Sequence, residues 1–361
     1  MIKLLLVASL LFVSAATAQD EPEECVRAST SSPLDNDKTP QFIVMSFDDS
    51  ATNLVYEEFY KNIFNGRSNP DGNPIKATFL IPHEYTDYEV VNRLYNEGHE
   101  IGVHSITKKA EAAYWQSSSV ENLVDEFKGQ KEIISKFANI PEDHIRVVRT
   151  PHLQLAGDKS FEAYKRSGLD IDSSWPALSK TKLFPYNLKC KSNAQCSIGE
   201  CPEESYDEMW VVPINNIKGV NDIECNTLFA CQMNLTQPEL SQWLLREFKS
   251  AAANKSPFSL LVNSAWFTIY PDALAALQAF IDEVLDEGNT YFVSHSELVE
   301  WAKNPVEAAN FETVAEPRSA ECEINNICPL DFEEFGTRYM KSCVKCPPKY
   351  PWLGNPQGLM E

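Results

Sequence analysis

The chain is short of positive charge. Its 361 residues carry 31 Lys and Arg against 52 Asp and Glu, a formal charge of -21. No basic stripe offsets that field, which excludes nucleic acid as a partner. A polycation such as a deacetylated amino-sugar polymer would be attracted, although acidity also serves solubility alone. After the first 18 residues no apolar run approaches the roughly 20 residues of a membrane-spanning helix, so no membrane association is expected. Low-complexity tracts are missing, as is any internal repeat beyond a strand–helix alternation. There is no odd cysteine either: the count is ten.

What is present begins with a leader. MIKLLLVASLLFVSAATAQD places Lys3 before an apolar core from Leu4 to Val13, and Ala16-Thr17-Ala18 forms a small-x-small cleavage site. This is the pattern of a secretory signal peptide over 1–18, which predicts an extracellular product starting at Gln19. Loss of Lys3 makes the mature chain one charge more negative. In an oxidising compartment Cys25, Cys190, Cys196, Cys201, Cys225, Cys231, Cys322, Cys328, Cys343 and Cys346 read as a disulfide framework, with the connectivity left open by the spacing. Cys343 and Cys346 stand at C-x-x-C spacing, which serves redox or zinc sites elsewhere, but secretion favours structural disulfides. Asn234-Leu235-Thr236 and Asn254-Lys255-Ser256 are glycosylation sequons, the second weakened by Pro257.

Residues 41–303 alternate two patterns, after an N-terminal extension over 19–40. Short β-rich runs are FIVMSF (42–47), ATFLI (77–81), HEIGV (99–103), IRVV (145–148), MWVVPI (209–214), FSLLV (258–262) and YFV (291–293). Between several of them the apolar residues recur with helical period. Tyr88, Val91 and Tyr95 share a face in 87–97, ended by Gly98. Val120, Leu123, Phe127, Ile134 and Phe137 do the same in 117–138. A third helix is expected over 271–287, with Pro271 near its first position and Gly288 beyond its end. Such alternation predicts a mostly parallel α/β sheet, open or closed into a barrel, with chemistry at the C-terminal ends of the strands. Two segments fall outside the repeat. Residues 186–231 read as a disulfide-stapled insertion loop, and 304–361 as a cysteine-containing tail rather than an independent domain.

The strand ends carry the chemistry-bearing side chains. FIVMSF runs into Asp48 and Asp49; such a pair can divide metal binding from base catalysis, or can merely cap the helix that begins near Asn53. HEIGV runs into His104 and Ser105. IRVV runs into Arg149-Thr150-Pro151-His152, and FSLLV into Asn263. Each signal alone is weak; their placement on successive strand ends is not.

Those segments together resemble the polysaccharide deacetylases, the NodB-type carbohydrate esterases. FIVMSFDD resembles their first motif, GHEIGVHSIT their H-[ST]-x-x-x-H, RTPH their R-x-P-[YF], LDIDSSW (169–175) the start of the next, and LVN (261–263) falls where the family has L-x-H. PIKATFLIPHEYTDY, PFSLLVNSAWF and TRYMKSCVKCPPKYPWLGNPQG are similar to arthropod chitin-deacetylase-like proteins over nearly the whole mature chain. The chitin-binding and receptor-type modules of longer relatives are absent, as in the short gut-type group, so a gut lumen or peritrophic matrix is the implied location. The resemblance implies a distorted (β/α) barrel, with Asp48 as general base, Asp49 and His104 as zinc ligands and Arg149 positioning Asp48. Pro151, His152, Asp172, Trp175 and Trp266 are placed at the substrate, the two tryptophans as platforms for sugar rings or as core.

The sequence departs from the family at three places. Lys108 stands where the third metal ligand belongs, Asn263 where the histidine acid belongs, and His152 where an aromatic belongs. A catalytic zinc needs three protein ligands and an open position. An ammonium at 108 would repel the metal and could pair with Asp49. Asn263 cannot protonate a leaving amine, which forfeits about 10²–10⁴-fold. Zinc is therefore expected to bind weakly or not at all, and a chitin-type N-acetylglucosamine polymer is the expected partner. Two readings stand: a chitin-binding protein with deacetylase activity weak or lost, or an active metal-dependent N-deacetylase in which Lys108 is tolerated or His152 compensates.

Overall fold

A computed structural model describes residues 25–315, 318–322, 326–332 and 335–360; the leader lies outside the described residues. Nine strands form the main sheet: β1 (Gln41–Phe47), β2 (Thr78–Pro82), β3 (Glu100–Ser105), β4 (Val147–Val148), β5 (Ile171–Asp172), β6 (Tyr186–Leu188), β7 (Tyr206–Val211), β8 (Phe258–Val262) and β9 (Thr290–Phe292). Their spatial order is β8-β1-β2-β3-β4-β5-β7-β6, with β9 also on β1. All pairings are parallel except β6 with β7. β9 pairs with the start of β1, at Gln41 to Ile43, and β2 with its end, at Ser46 and Phe47. The sheet curls without closing, and the architecture is the α/β distorted barrel that the strand–helix alternation predicts.

Helices cover the sheet: α1 (Tyr88–Asn96), α2 (Val120–Phe137), α3 (Asp158–Arg166), α4 (Gln237–Ala252), α5 (Ser264–Ile269), α6 (Ala273–Asp286) and α7 (His295–Lys303). Gly98 follows α1 at φ +93°, the left-handed conformation expected of a residue that ends a helix. Ser119 caps α2 by accepting from Asn122 N. Pro271 sits one residue before the Asp272 cap of α6 rather than inside its first turn. Thr52, not the aspartate pair, caps the short helix that starts at Asn53.

With both faces covered, the parallel strands are built on apolar runs. Along β1, Phe42 and Val44 join Leu80, Val147 and Ile171 in the barrel interior, while Ile43, Met45 and Phe47 pack outward against the helices. Side chains alternate with period two. The inward row therefore continues through Ser46 to Asp48, and on the neighbouring strands to Arg149 and Ser173.

All ten cysteines are paired: Cys25–Cys190, Cys196–Cys201, Cys225–Cys231, Cys322–Cys343 and Cys328–Cys346. Cys343 and Cys346 go to different partners, so the C-x-x-C spacing is neither a redox pair nor a zinc site. The segment 186–231 is more than a stapled loop, because β6 and β7 within it extend the main sheet. The tail forms the hairpin β10 (Asn326–Asp331) and β11 (Thr337–Ser342) and lies against the body, where Cys343 N donates to Phe137 O at 2.8 Å. Among the described residues no helix is long and apolar enough to cross a membrane.

Gly102 on β3 is dictated by closeness. A Cβ there would meet Val147 O at 2.7 Å and Leu80 Cδ1 at 2.8 Å. Gly102→Ala should cost about 1–3 kcal/mol by overpacking, read as a lowered midpoint in equilibrium denaturation; an unchanged midpoint would mean the sheet yields there.

Candidate functional site

The C-terminal ends of the strands open on a cavity of about 600 Å³. Asp48, Asp49, His104, Lys108, Pro151, His152 and Asn263 all line it, together with Ser50, Glu84 and Tyr85. A larger cleft, about 870 Å³, lies at the opposite strand ends around Lys76, Glu100 and Arg146. Two of its cations are already committed, Lys76 to Glu297 at 2.6 Å and Arg146 to Asp170 at 2.5 Å. The smaller cavity holds the chemistry.

Arg149 anchors it. Its guanidinium is buried, with Nε donating to Ser173 O at 2.8 Å and Nη2 to Ser173 Oγ at 2.7 Å and Ser46 Oγ at 3.0 Å. Burial pulls its pKa down to about 10 while the charges of Asp48 and Asp172 act the other way. Asp172 is fully buried, and burial pushes its carboxyl up to about 6; Oδ2 accepts from Ser174 N at 3.0 Å. It does not line the cavity, so its place is behind Arg149 rather than against substrate. Arg149 Nη1 and Asp172 Oδ1 are both buried without a hydrogen-bond partner.

His104 is 3% exposed, and its Nδ1 lies 2.8 Å from Arg149 O. A carbonyl only accepts, so Nδ1 carries the proton and Nε2 keeps its lone pair, the tautomer a metal-binding histidine uses. Burial holds its pKa down to about 3, helped by Lys108. Asp49 Oδ2 accepts from Ser264 N at the start of α5. Burial and then the neighbouring Asp48 push its pKa up to about 6, against the pull of Ser264 N–H and Lys108. Among the described residues no hydrogen bond reaches the Asp48 carboxylate. Asn263 caps α5 by position only, and its Oδ1 is buried and unpartnered.

Lys108 sits at φ +44°, and its Nζ donates to the main-chain oxygen of Asp48 at 2.5 Å. Among the described residues it does not form the direct ion pair with Asp49 that the sequence allowed. The donor set thus offers one carboxylate, one imidazole and an ammonium already spent on a carbonyl. Zinc needs a third lone pair where this chain presents a cation, so these residues do not fit a three-ligand zinc site. No group of three His, Cys, Asp or Glu able to hold a metal occurs among the described residues. His152 lines the same cavity in a left-handed conformation, φ +58°, with Nε2 3.3 Å from Lys109 O.

The two tryptophans are not sugar platforms. Trp175 is 1% exposed with Nε1 bonded to Gln195 O, and Trp266 is 0% exposed against Phe267. Sequence reasoning missed Tyr85, the aromatic that does face the cavity. Its signal was available: it stands three residues past the end of β2, in HEYTDY.

The polysaccharide deacetylase family model matches residues 35–171. Chitin deacetylase 8 of Bombyx mori is 33% identical, over 99% of this chain and 99% of its own length. Chitin deacetylase 1 of Bombyx mori is also 33% identical, over 88% of this chain and 63% of its own length. Among solved structures, a family 4 carbohydrate esterase from Streptomyces lividans in complex with acetate matches 70% of this chain and 91% of its own at 11% identity, with a TM-score of 0.38, too low to bear on the site. The chain belongs to the polysaccharide deacetylase family. Within it, the two Bombyx mori relatives are chitin deacetylases by name.

The raised Asp49 pKa predicts how a neutral side chain would behave. A carboxyl with folded pKa above its unfolded value holds its proton to higher pH when folded, so its ionisation costs stability as pH rises through about 6. Asp49→Asn should match wild type near pH 4 and exceed it by about 2–3 kcal/mol above pH 7, measured by urea denaturation across pH. A difference that does not change with pH would contradict this.

Proposed function

We propose that this chain is a secreted, chitin-binding member of the family in which deacetylase activity is weak or lost. The observation that carries the reading is Lys108 Nζ on the Asp48 carbonyl, at the position where the third metal ligand belongs. Asn263 adds to it. An amide cannot donate a proton as an imidazolium does, so departure of the amine lacks its acid. The groove nevertheless keeps groups suited to an N-acetylglucosamine polymer. Asn263 Oδ1 is a buried acceptor without a donor, and the Asp48 carboxylate is unpaired among the described residues. Sugar hydroxyls and acetamide N–H groups supply such donors. The five disulfides support secretion.

A second reading, an active metal-dependent N-deacetylase, draws on His152. It lines the same cavity as His104 and Asp49, so a different histidine is at hand if the loop around it rearranges.

Zinc content and acetate release from chitooligosaccharides separate the two. The wild-type chain should hold well under one zinc and release acetate at least about 10²-fold more slowly than Lys108→His/Asn263→His. Stoichiometric zinc with turnover in the wild type would establish the second reading instead. Zinc uptake by the double variant without any gain in turnover would show that these two positions are not what limits the chemistry.

A further inference from the structure

We propose that Tyr85 is the aromatic platform on which the groove receives a sugar ring, and that the C-terminal tail holds it in place. This rests on the reading of the groove as a sugar site. Tyr85 lines the cavity with Asp48, Asp49 and Asn263, yet is 72% exposed. Tyr339 is equally exposed, but it lies on the tail hairpin and does not line the cavity. A large aromatic left in water at the mouth of a polar groove has no packing role to account for it. The axial C–H face of a pyranose is apolar and flat, and a ring fixed by only two rotatable bonds covers it at small entropic cost.

The backbone points the same way. Tyr85 has φ +64°, a left-handed conformation unfavourable for a bulky side chain. It is imposed from both sides. Ser50 Oγ, next to the aspartate pair, donates to Glu84 O at 2.7 Å. Thr86 Oγ1 donates to Pro82 O at 2.6 Å, and Asp87 N to Ala51 O at 2.8 Å. The tail supplies the outer clamp. Arg338 Nε meets Glu84 Oε1 at 3.1 Å, and Lys341 Nζ meets Asp87 Oδ2 at 3.1 Å. Beneath them the His83 ring packs 4.7 Å from Tyr350. Residues 83–87 are thus gripped between the strand-end motif and the disulfide-tied hairpin, and among the described residues the Tyr85 ring is left exposed. Strain that the surroundings over-determine is retained where it serves a ligand.

The test is calorimetric titration of a fully acetylated chitopentaose into the full-length secreted chain. Tyr85→Phe should bind within about twofold of wild type, since stacking needs the ring and not the hydroxyl. Tyr85→Ala and Tyr85→Gly should bind about tenfold more weakly. Tyr85→Gly should also melt no lower than wild type, because glycine accepts the positive φ; weaker binding without lost stability separates a ligand contact from a folding defect. Arg338→Ala should weaken binding less than Tyr85→Ala does. Unchanged affinity in Tyr85→Ala and Tyr85→Gly overturns the platform, and unchanged affinity in Arg338→Ala overturns the role of the tail. A wild-type chain that binds no chitopentaose overturns the sugar-site reading itself.

Discussion

The site depends on one buried cation. Arg149 is the point where four strand ends meet: its side chain bonds Ser46 after the inward row of β1 and Ser173 after β5, its carbonyl fixes His104 at the end of β3, and its own N–H donates to Val103 O. A guanidinium so enclosed is tolerable only with opposite charge near, and Asp48 and Asp172 provide it. Ser173 passes the network on to His295 at 2.8 Å, and His295 to Thr78 at 2.8 Å. The floor of the groove is therefore joined by hydrogen bonds, through Ser173 and His295, to the first residue of β2.

On that floor Lys108 changes what the remaining groups can do. In a metal-binding arrangement Asp49 and His104 would be ligands. Here the ammonium meets the Asp48 carbonyl, the imidazole keeps a free lone pair, and Asp49 is satisfied by Ser264 N at the start of α5. The lysine supplies positive charge to a site holding two adjacent carboxylates, which offsets their repulsion without offering a coordination position. The proposed recognition would use hydrogen-bond acceptors and an exposed aromatic, not a Lewis acid.

Much of the architecture was legible because parallel strands in a covered sheet leave apolar runs, and the residues ending those runs are the site. That logic placed Asp48, Asp49, His104, Pro151, His152 and Asn263, and the resemblance added Lys108, around what proves to be one cavity. It failed where burial decides. Trp175 and Trp266 stand near strand ends in sequence, but both rings turn into the core. Asp172 stands between the inward-facing Ile171 and Ser173, is fully buried and does not line the cavity. β6 was hidden within a cysteine-rich stretch because a three-residue strand leaves no periodicity, whereas the MWVVPI run marked the end of β7. Tyr85 escaped because a left-handed loop residue has no pattern of its own; the contacts that Ser50 and the distant tail make with its neighbour Glu84 exist only in the fold. The disulfide pairing likewise follows from tertiary proximity, not spacing.

The central claim is that this groove recognises its polymer without a metal. Its most direct test is the affinity of the wild-type chain for a chitooligosaccharide, measured once with a strong chelator and once with saturating zinc. Equal affinity in the two conditions is the predicted result. Binding that vanishes with the chelator and returns with zinc would contradict the account.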